Sequence, residues 1–425
     1  MKLPLSQIQM ETATIKEERT IALIKALDSA QNLNGLDAIQ DAQLALEDLV
    51  FPHRKMESWK YTKTTKIGKQ EWNRNADLTS STTQSWGHWS GAKLVLVNGV
   101  VNTELSHLPT IEGVTIKPIA KANSEELEQL GSLTAHKTNY FEALNTAYST
   151  GGYYIHVAKK CAVDTSLLIE HICTGKQQII QPRNFIKVEE SAEFNMAFLY
   201  RSDDGASAFQ NELTEVFVGE NAVIRMDNIQ DRNELFDLNT IWAAQERNSR
   251  FTITTITKQG DWVRNNINVR VNGENCETNL YGTYRTYGNQ HVDNHTMIDH
   301  KVPHCESNEH YKGILYDKSS AVFNGKVFVR EDAQKTNAFQ QNANILMSDD
   351  ANMNSKPELE IYADDVKCSH GSTTGQFDDE AIFYLMARAI SETNARELLV
   401  EAFLSEVIEH VYHEELLTYV RSSEE

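Results

Sequence analysis

A chain of 425 residues with 40% hydrophobic content can bury a sizeable core, while 60 acidic against 40 basic residues leave a net charge of −20 that disfavours nucleic acid and anionic lipid as general partners. Five scattered cysteines (Cys161, Cys173, Cys276, Cys305, Cys368), with no C-x-x-C pair, exclude a secreted disulfide framework, a self-contained four-cysteine cluster and a zinc ribbon. Met1-Lys2-Leu3-Pro4-Leu5 leads into no apolar signal core, and no run nears the roughly 18 apolar residues of a membrane helix; the expectation is a cytoplasmic, reduced protein.

Residues 1–90 form an N-terminal helical region. Thr20–Leu27 and Leu36–Leu49 carry apolar residues at three- and four-residue spacing, broken by Asn32-Leu33-Asn34-Gly35. Phe51-Pro52-His53-Arg54-Lys55-Met56-Glu57-Ser58-Trp59-Lys60-Tyr61-Thr62 is too polar to be buried whole and reads as a connector with one aromatic anchor, Trp59; 75–90 reads as a loop. A mixed connector occupies 91–150. In it, Lys93–Val101 forms a hairpin with Asn98-Gly99 as a type I′ turn, and Glu125–Leu133 and Tyr140–Ala147 form short helices.

From 151 to 376 short strands dominate: Tyr153–Val157, Ser166–Ile172, Asn184–Val188, Glu215–Val218, Val223–Asp227, Phe251–Thr257, Asn266–Val271 and Ala321–Val329. Small residues recur at 192, 222, 249, 276 and 305, in steps of 30, 27, 27 and 29. Steady steps near 28 suit the coils of a solenoid, whereas a propeller blade needs roughly 40. Periodicity alone leaves an antiparallel sandwich open.

The strand-rich region ends in Asp364-Asp365-Val366-Lys367-Cys368-Ser369-His370-Gly371. In an extended backbone Cys368 and His370 share one face, and Lys367 and Ser369 the other. A thiol beside an imidazole is a soft ligand pair for iron–sulfur chemistry, zinc or copper, a nucleophile with its base, or a packed cysteine beside a hydrogen-bonded histidine; the octapeptide on its own favours the packed reading. Asp364 and Asp365, adjacent in a strand, point apart and form no carboxylate dyad. Residues 377–425 are helical again. Asp378 and Asp379 suit a helix start, Asn394–Glu397 has capping-box form, and Leu399, Phe403, Val407 and Val411 recur every four residues. Such a hairpin caps the open coil edge or offers its stripe to a partner. His291, His295, His300, His304, Cys305 and His310 are dense, but strand geometry does not make them converge, and structural or interface roles rank ahead of metal binding.

Together these residues resemble the SufB/SufD family of iron–sulfur cluster assembly scaffolds, the SufD branch most of all. The matching segments are Lys335–Asn342, Pro357–Ala363, the octapeptide, Thr373–Asp378 and Phe383–Arg388. Phe141–Ala147, His295, His300, Ser307, Lys312-Gly313, Val322–Gly325 and the Pro52–Trp59 segment support them. The resemblance implies a mainly β fold, a right-handed parallel β-helix between helical N- and C-terminal domains. It implies a non-enzymatic scaffold of the SUF machinery that pairs with a SufB-like paralogue, or with a second copy of itself in isolation. A SufC-like ABC ATPase would dock on the C-terminal domain, at the stripe Leu399, Phe403 and Val407. Iron or a nascent iron–sulfur cluster would be held transiently at the SufB–SufD interface, with contributions from His370 and neighbouring Cys368. SufB carries an interface cysteine shortly before its Pro-containing strand; here Ile345-Leu346-Met347-Ser348 stands there, with no cysteine between Cys305 and Cys368. The rival readings are a β-helix carbohydrate-active enzyme and a stand-alone metal protein using the 291–310 histidines.

Overall fold

The computed structural model describes residues 22–27, 33, 36–74, 84–377 and 379–422. Residues 22–27 are helical (α1), with Leu23 and Leu27 buried, and α2 (Asp37–Asp48) buries Ala42 and Leu46 while Leu44 faces solvent. The expected break at Asn32, Asn34 and Gly35, and residues 75–83 of the expected loop, lie outside the described residues. After a short α3 (Thr65–Lys69), β1 (Ala92–Val97) and β2 (Val100–His107) make the expected hairpin. Both turn residues have positive φ, Asn98 at 48° and Gly99 at 80°, as a type I′ turn requires.

Glu125–Leu133 is not a helix but a string of turns after β3 (Val114–Pro118). Glu126, which would open the helix, is bound by Lys117, and the buried Glu215 carboxylate takes the amides of Gly131 (2.7 Å) and Leu133 (3.0 Å). Tertiary partners override a weak local preference here. The expected helix at Tyr140–Ala147 (α4) is present, capped by Asn139.

The rest of the core is a parallel β-solenoid. It begins with β4 (Tyr153–Val157), β5 (Leu167–Cys173), β6 (Gln178–Ile180) and β7 (Arg183–Val188). It continues as β8 (Glu193–Ser202), β9 (Ala208–Val218), β10 (Val223–Asp231), β11 (Leu235–Gln245), β12 (Arg250–Gln259), β13 (Trp262–Val271), β14 (Glu277–Thr286), β15 (His291–His300), β16 (Glu306–Leu315), β17 (Ser320–Val329), β18 (Asn337–Leu346), β19 (Asn352–Ile361) and β20 (Lys367–Gly375). Successive strands alternate between two sheets. One runs β2-β1-β5-β8-β10-β12-β14-β16-β18-β20 and the other β19-β17-β15-β13-β11-β9-β7-β4-β3, with β6 beside β9. Strand pairs along the solenoid are parallel and in register, which removes the sandwich alternative.

The recurring small residues mark one corner of every coil. The residue before each has a left-handed backbone: Ser191, Asn221, Asn248, Asn275 and His304, with φ between 57° and 63°. Asparagine tolerates that conformation better than most residues, and here its side chains also stack, Asn275 donating to Asn248 (3.2 Å) and Asn248 to Asn221 (2.9 Å). Ala192, Ala222, Ser249, Cys276 and Cys305 pack behind this corner, all buried, so Cys276 and Cys305 are ladder residues.

The C-terminal helices are α5 (Asp379–Met386), α6 (Glu392–Ile408) and α7 (Glu414–Ser422); Asp378 lies outside the described residues. α6 starts three residues earlier than the Asn394–Glu397 pattern implies, because the Ser391 side chain accepts from Asn394 N and caps it. The helices do not cap the coil end. They lie on the outer face of the first sheet, where Val400, Leu404, Ile408, Val411, Leu416 and Val420 cover Leu199, Ile229, Ile256 and Ile314. Asp227 fastens them, accepting from Tyr412 N (3.0 Å), His413 N (3.0 Å) and His413 Nδ1 (2.6 Å).

Candidate functional site

β20 and β19 end their respective sheets. No further coil covers them among the described residues, so β20 is exposed along almost its whole length. Parallel register sets Cys368 beside Ala338, His370 beside Gln340 and Ser372 beside Asn342. All three neighbours are buried, so Cys368 and His370 share the inward face, as strand alternation predicts.

Their surroundings differ. Cys368 is half-buried among Val327, Val329, Ala338, Leu359 and Val366. Burial pushes its thiol above the ordinary range, which opposes the thiolate that metal binding or nucleophilic attack requires. His370 is exposed and borders a groove of about 590 Å³ with Phe339, Gln341, Ser369, Thr373 and His410. Of the two, the histidine is the side chain open to a partner.

Behind His370 runs a ladder that sequence reading did not single out. Consecutive coils place Met196, Met226, Ile253 and Leu280 at one inward position, and the same position then becomes Glu309, Gln340 and His370. Glu309 is fully buried and accepts from Thr296 Oγ1 and from Gln340 Nε2 (3.2 Å). Burial pushes its carboxyl up to about 7, against the pull of those two donors. A second polar track crosses the last coil. Asn342 Oδ1 accepts from Asn344 Nδ2 (2.8 Å) and Ser355 Oγ (2.9 Å), and Ser372 Oγ donates to Ser355 Oγ (2.7 Å), tying β20 to β19. The only signal for these tracks was the run Phe339-Gln340-Gln341-Asn342, polar at inward and outward positions alike.

Asp364 and Asp365 form no dyad: Asp365 binds Lys335 through its carboxylate and, through its carbonyl, the Lys335 amide (2.6 Å), extending the corner ladder. The 291–310 histidines do not converge either. His295 Nε2 meets Asp293 Oδ1 at 2.9 Å, His291 bonds Thr62 and Ser320, and His300 Nε2 pairs with Ser307 Oγ at 2.9 Å. Burial lowers the His300 imidazole to about 4, so it stays neutral. His304 sits in a left-handed corner and His310 near Glu406. Among the described residues no group of three or more His, Cys, Asp or Glu side chains could hold a metal ion.

His291 and Asp293 instead fasten the Pro52–Thr62 segment across the second sheet. Arg264 links Asp293 (2.9 Å) to the Ser58 carbonyl (2.8 Å), and Thr62 bonds both Asp293 and His291. Trp59 is buried under the Arg264 guanidinium, 3.9 Å from its ring centroid, and stacks on Trp262. It is the anchor the sequence suggested.

The stripe Leu399, Phe403 and Val407 is largely covered by the chain itself. Val407 is fully buried, and Leu399 and Phe403 are half-buried, the latter beneath the Lys312 ammonium (4.4 Å). The apolar side chains these helices expose are Phe383, Tyr384, Met386 and Leu398. The four-residue spacing found the helix but not which side of it meets the sheet.

Comparison with known proteins agrees with this architecture. Residues 22–169 match the SufBD protein N-terminal region, and residues 171–403 match the SufBD core domain of the SUF system for FeS cluster assembly. The chain is 28% identical to an iron–sulfur cluster assembly SufBD family protein of Synechocystis, over 96% of this chain and 93% of that one. It is 29% identical to the iron–sulfur cluster assembly protein SufD of Escherichia coli, over 90% and 91% respectively. A parallel solenoid flanked by helices, matched along nearly its full length, makes this chain a member of the SufB/SufD family of SUF iron–sulfur cluster assembly proteins, close to SufD.

Proposed function

We propose that this chain is a non-enzymatic scaffold subunit of the SUF machinery, working in the cytoplasm, and that its partner surface is the open coil end formed by β19 and β20. A SufB-like paralogue pairs there, or a second copy of this chain in isolation. Unpaired edge strands supply the backbone donors and acceptors for such pairing. Iron or a nascent cluster is the cargo, held transiently between the two chains. His370 is the residue of this chain that reaches it; Cys368, packed and protonated, supports β20 from behind. A SufC-like ABC ATPase docks on the C-terminal helices, through the exposed Phe383, Tyr384, Met386 and Leu398, with Leu399 and Phe403 at the margin of that contact.

The observation that carries this reading is an exposed imidazole on the last strand of an uncapped solenoid. The test is cluster yield in a complex reconstituted with SufB-like and SufC-like subunits. His370→Ala should lower the yield severalfold while leaving complex formation intact, and Cys368→Ser should lower it much less. Unchanged yield with His370→Ala defeats the site assignment. As for placement, no helix among the described residues is long and apolar enough to cross a membrane.

A further inference from the structure

Gln340 stands between a buried acid and the exposed imidazole, and its amide is oriented by its neighbours. Glu309 lies on the β16 side of it and His370 on the β20 side, on consecutive rungs of one parallel ladder, spaced about 4.8 Å apart. The Glu309 carboxyl oxygen accepts from Gln340 Nε2 at 3.2 Å. An amide that turns its NH2 toward β16 turns its carbonyl away from it. Gln340 Oε1 is buried and has no hydrogen-bond partner. A buried acceptor left empty is unfavourable, because it has lost its water and gained no donor, so its retention asks for one. The slot holding this amide is built for it: at Gly325, across the coil interior, a Cβ atom would sit 2.2 Å from Gln340 Nε2 and 2.8 Å from its Cδ.

We infer that Gln340 is a positioning residue for His370, its Oε1 accepting the N–H of one imidazole nitrogen so that the other is presented, unprotonated, at the coil end. A histidine ligand commonly donates its second ring N–H to a fixed acceptor, which sets its tautomer and its aim. Glu309 acts one step further back by engaging Nε2, which leaves Oε1 as the free end of the amide. The inference deepens the proposed role of His370 and rests on it for its meaning, but its test needs neither iron nor partner.

The test is nitrogen NMR of the full chain labelled with 15N-histidine at alkaline pH, with the two ring signals of His370 assigned by their loss in His370→Asn. In the unsubstituted chain the two nitrogens should resonate far apart, one bearing the proton and one not. Gln340→Met, which removes the acceptor, should bring them together by more than half of that separation, as tautomers interconvert. Glu309→Leu, which restores the apolar residue type found at Leu280, should do the same by freeing the amide. Glu309→Gln keeps an acceptor for Nε2 and should preserve the separation. The inference is overturned by averaged His370 signals in the unsubstituted chain, or by an undiminished separation in folded Gln340→Met. If the signals behave as expected but His370→Ala leaves cluster yield unchanged, the functional reading fails and the positioning role stands; the opposite pattern removes the positioning role alone.

Discussion

Replacing Glu309 with glutamine should change how the fold responds to pH. In the native chain burial holds this carboxyl at about 7, against an ordinary value of 4.5. Between those two values the unfolded chain has released the proton while the folded chain keeps it. The folded state therefore binds more protons, and stability falls as pH rises through this window. Each pKa unit is worth about 1.4 kcal/mol, so the full loss from this one group is roughly 3 kcal/mol. Glu142 and Glu212 are also buried and pushed up to about 7, so the unsubstituted chain loses stability through the same window at more than one place. The difference between the two proteins isolates Glu309. Glutamine is neutral throughout and keeps an acceptor oxygen for Gln340. Urea midpoints followed by tryptophan fluorescence at pH 5, 6, 7 and 8 should show Glu309→Gln gaining on the unsubstituted chain by about 2–3 kcal/mol between pH 5 and pH 8, with equal slopes. A difference that does not change across that range would mean that the carboxyl is not desolvated, and the reasoning about the ladder would be refuted.

Trp59→Ala should remove a buried ring that covers Arg264, costing about 3–5 kcal/mol; hydrogen exchange of residues 52–62 should accelerate by at least a hundredfold while the solenoid strands stay protected. Asp227→Asn retains one acceptor for the Tyr412 and His413 amides but loses the charge-assisted His413 contact, and should weaken helix docking by about 1–3 kcal/mol, read as faster limited proteolysis between α6 and α7. Gly325→Ala should lower stability by about 1–3 kcal/mol through overpacking against Gln340 and Phe323, visible in thermal melts. Alkylation at pH 7.5 followed by mass spectrometry should find Cys161 reacting in the folded chain, Cys368 reacting more slowly because burial raises its thiol, and Cys173 protected, since burial removes it from solvent and raises its thiol to about 12.

The solenoid was legible because its corners repeat. A left-handed residue followed by a small one is a local requirement of the turn, and a local requirement leaves a mark at fixed spacing. Strands with apolar interiors, such as Phe251–Thr257, could be read from alternation. β16, β18 and β20 could not, because Glu309, Gln340, Asn342, Asn344, His370 and Ser372 put polar side chains on the face that normally carries the apolar half of the pattern. The pair Cys368 and His370 was legible as a constellation, yet the difference between them was not. It arises from the cluster around Val327 and Val329 on the opposite sheet, which buries the thiol and stops short of the imidazole. The helical stripe meets the same limit. Leu399, Phe403 and Val407 obey helical spacing, but an adjoining face, Val400, Leu404 and Ile408, meets the sheet, and only the sheet decides between them.

The change from Leu280 to Glu309, Gln340 and His370 along one ladder has a physical cost that the fold alone does not repay. An apolar rung at Glu309 and Gln340 would have packed as well as Leu280 does and would have left no empty acceptor. At the open coil end, however, an apolar ladder would terminate in a bare hydrophobic edge strand, which pairs with any other edge it meets. Polar rungs make that end tolerable in water, and among the described residues they do so without a cap: Asp227 fastens the C-terminal helices to the flank instead. The arrangement keeps the end of the rod free while the helices keep Phe383, Tyr384 and Leu398 exposed elsewhere. Covering the first and burying the second would add stability to the chain on its own, and these two open surfaces are the ones that the proposed partners would cover.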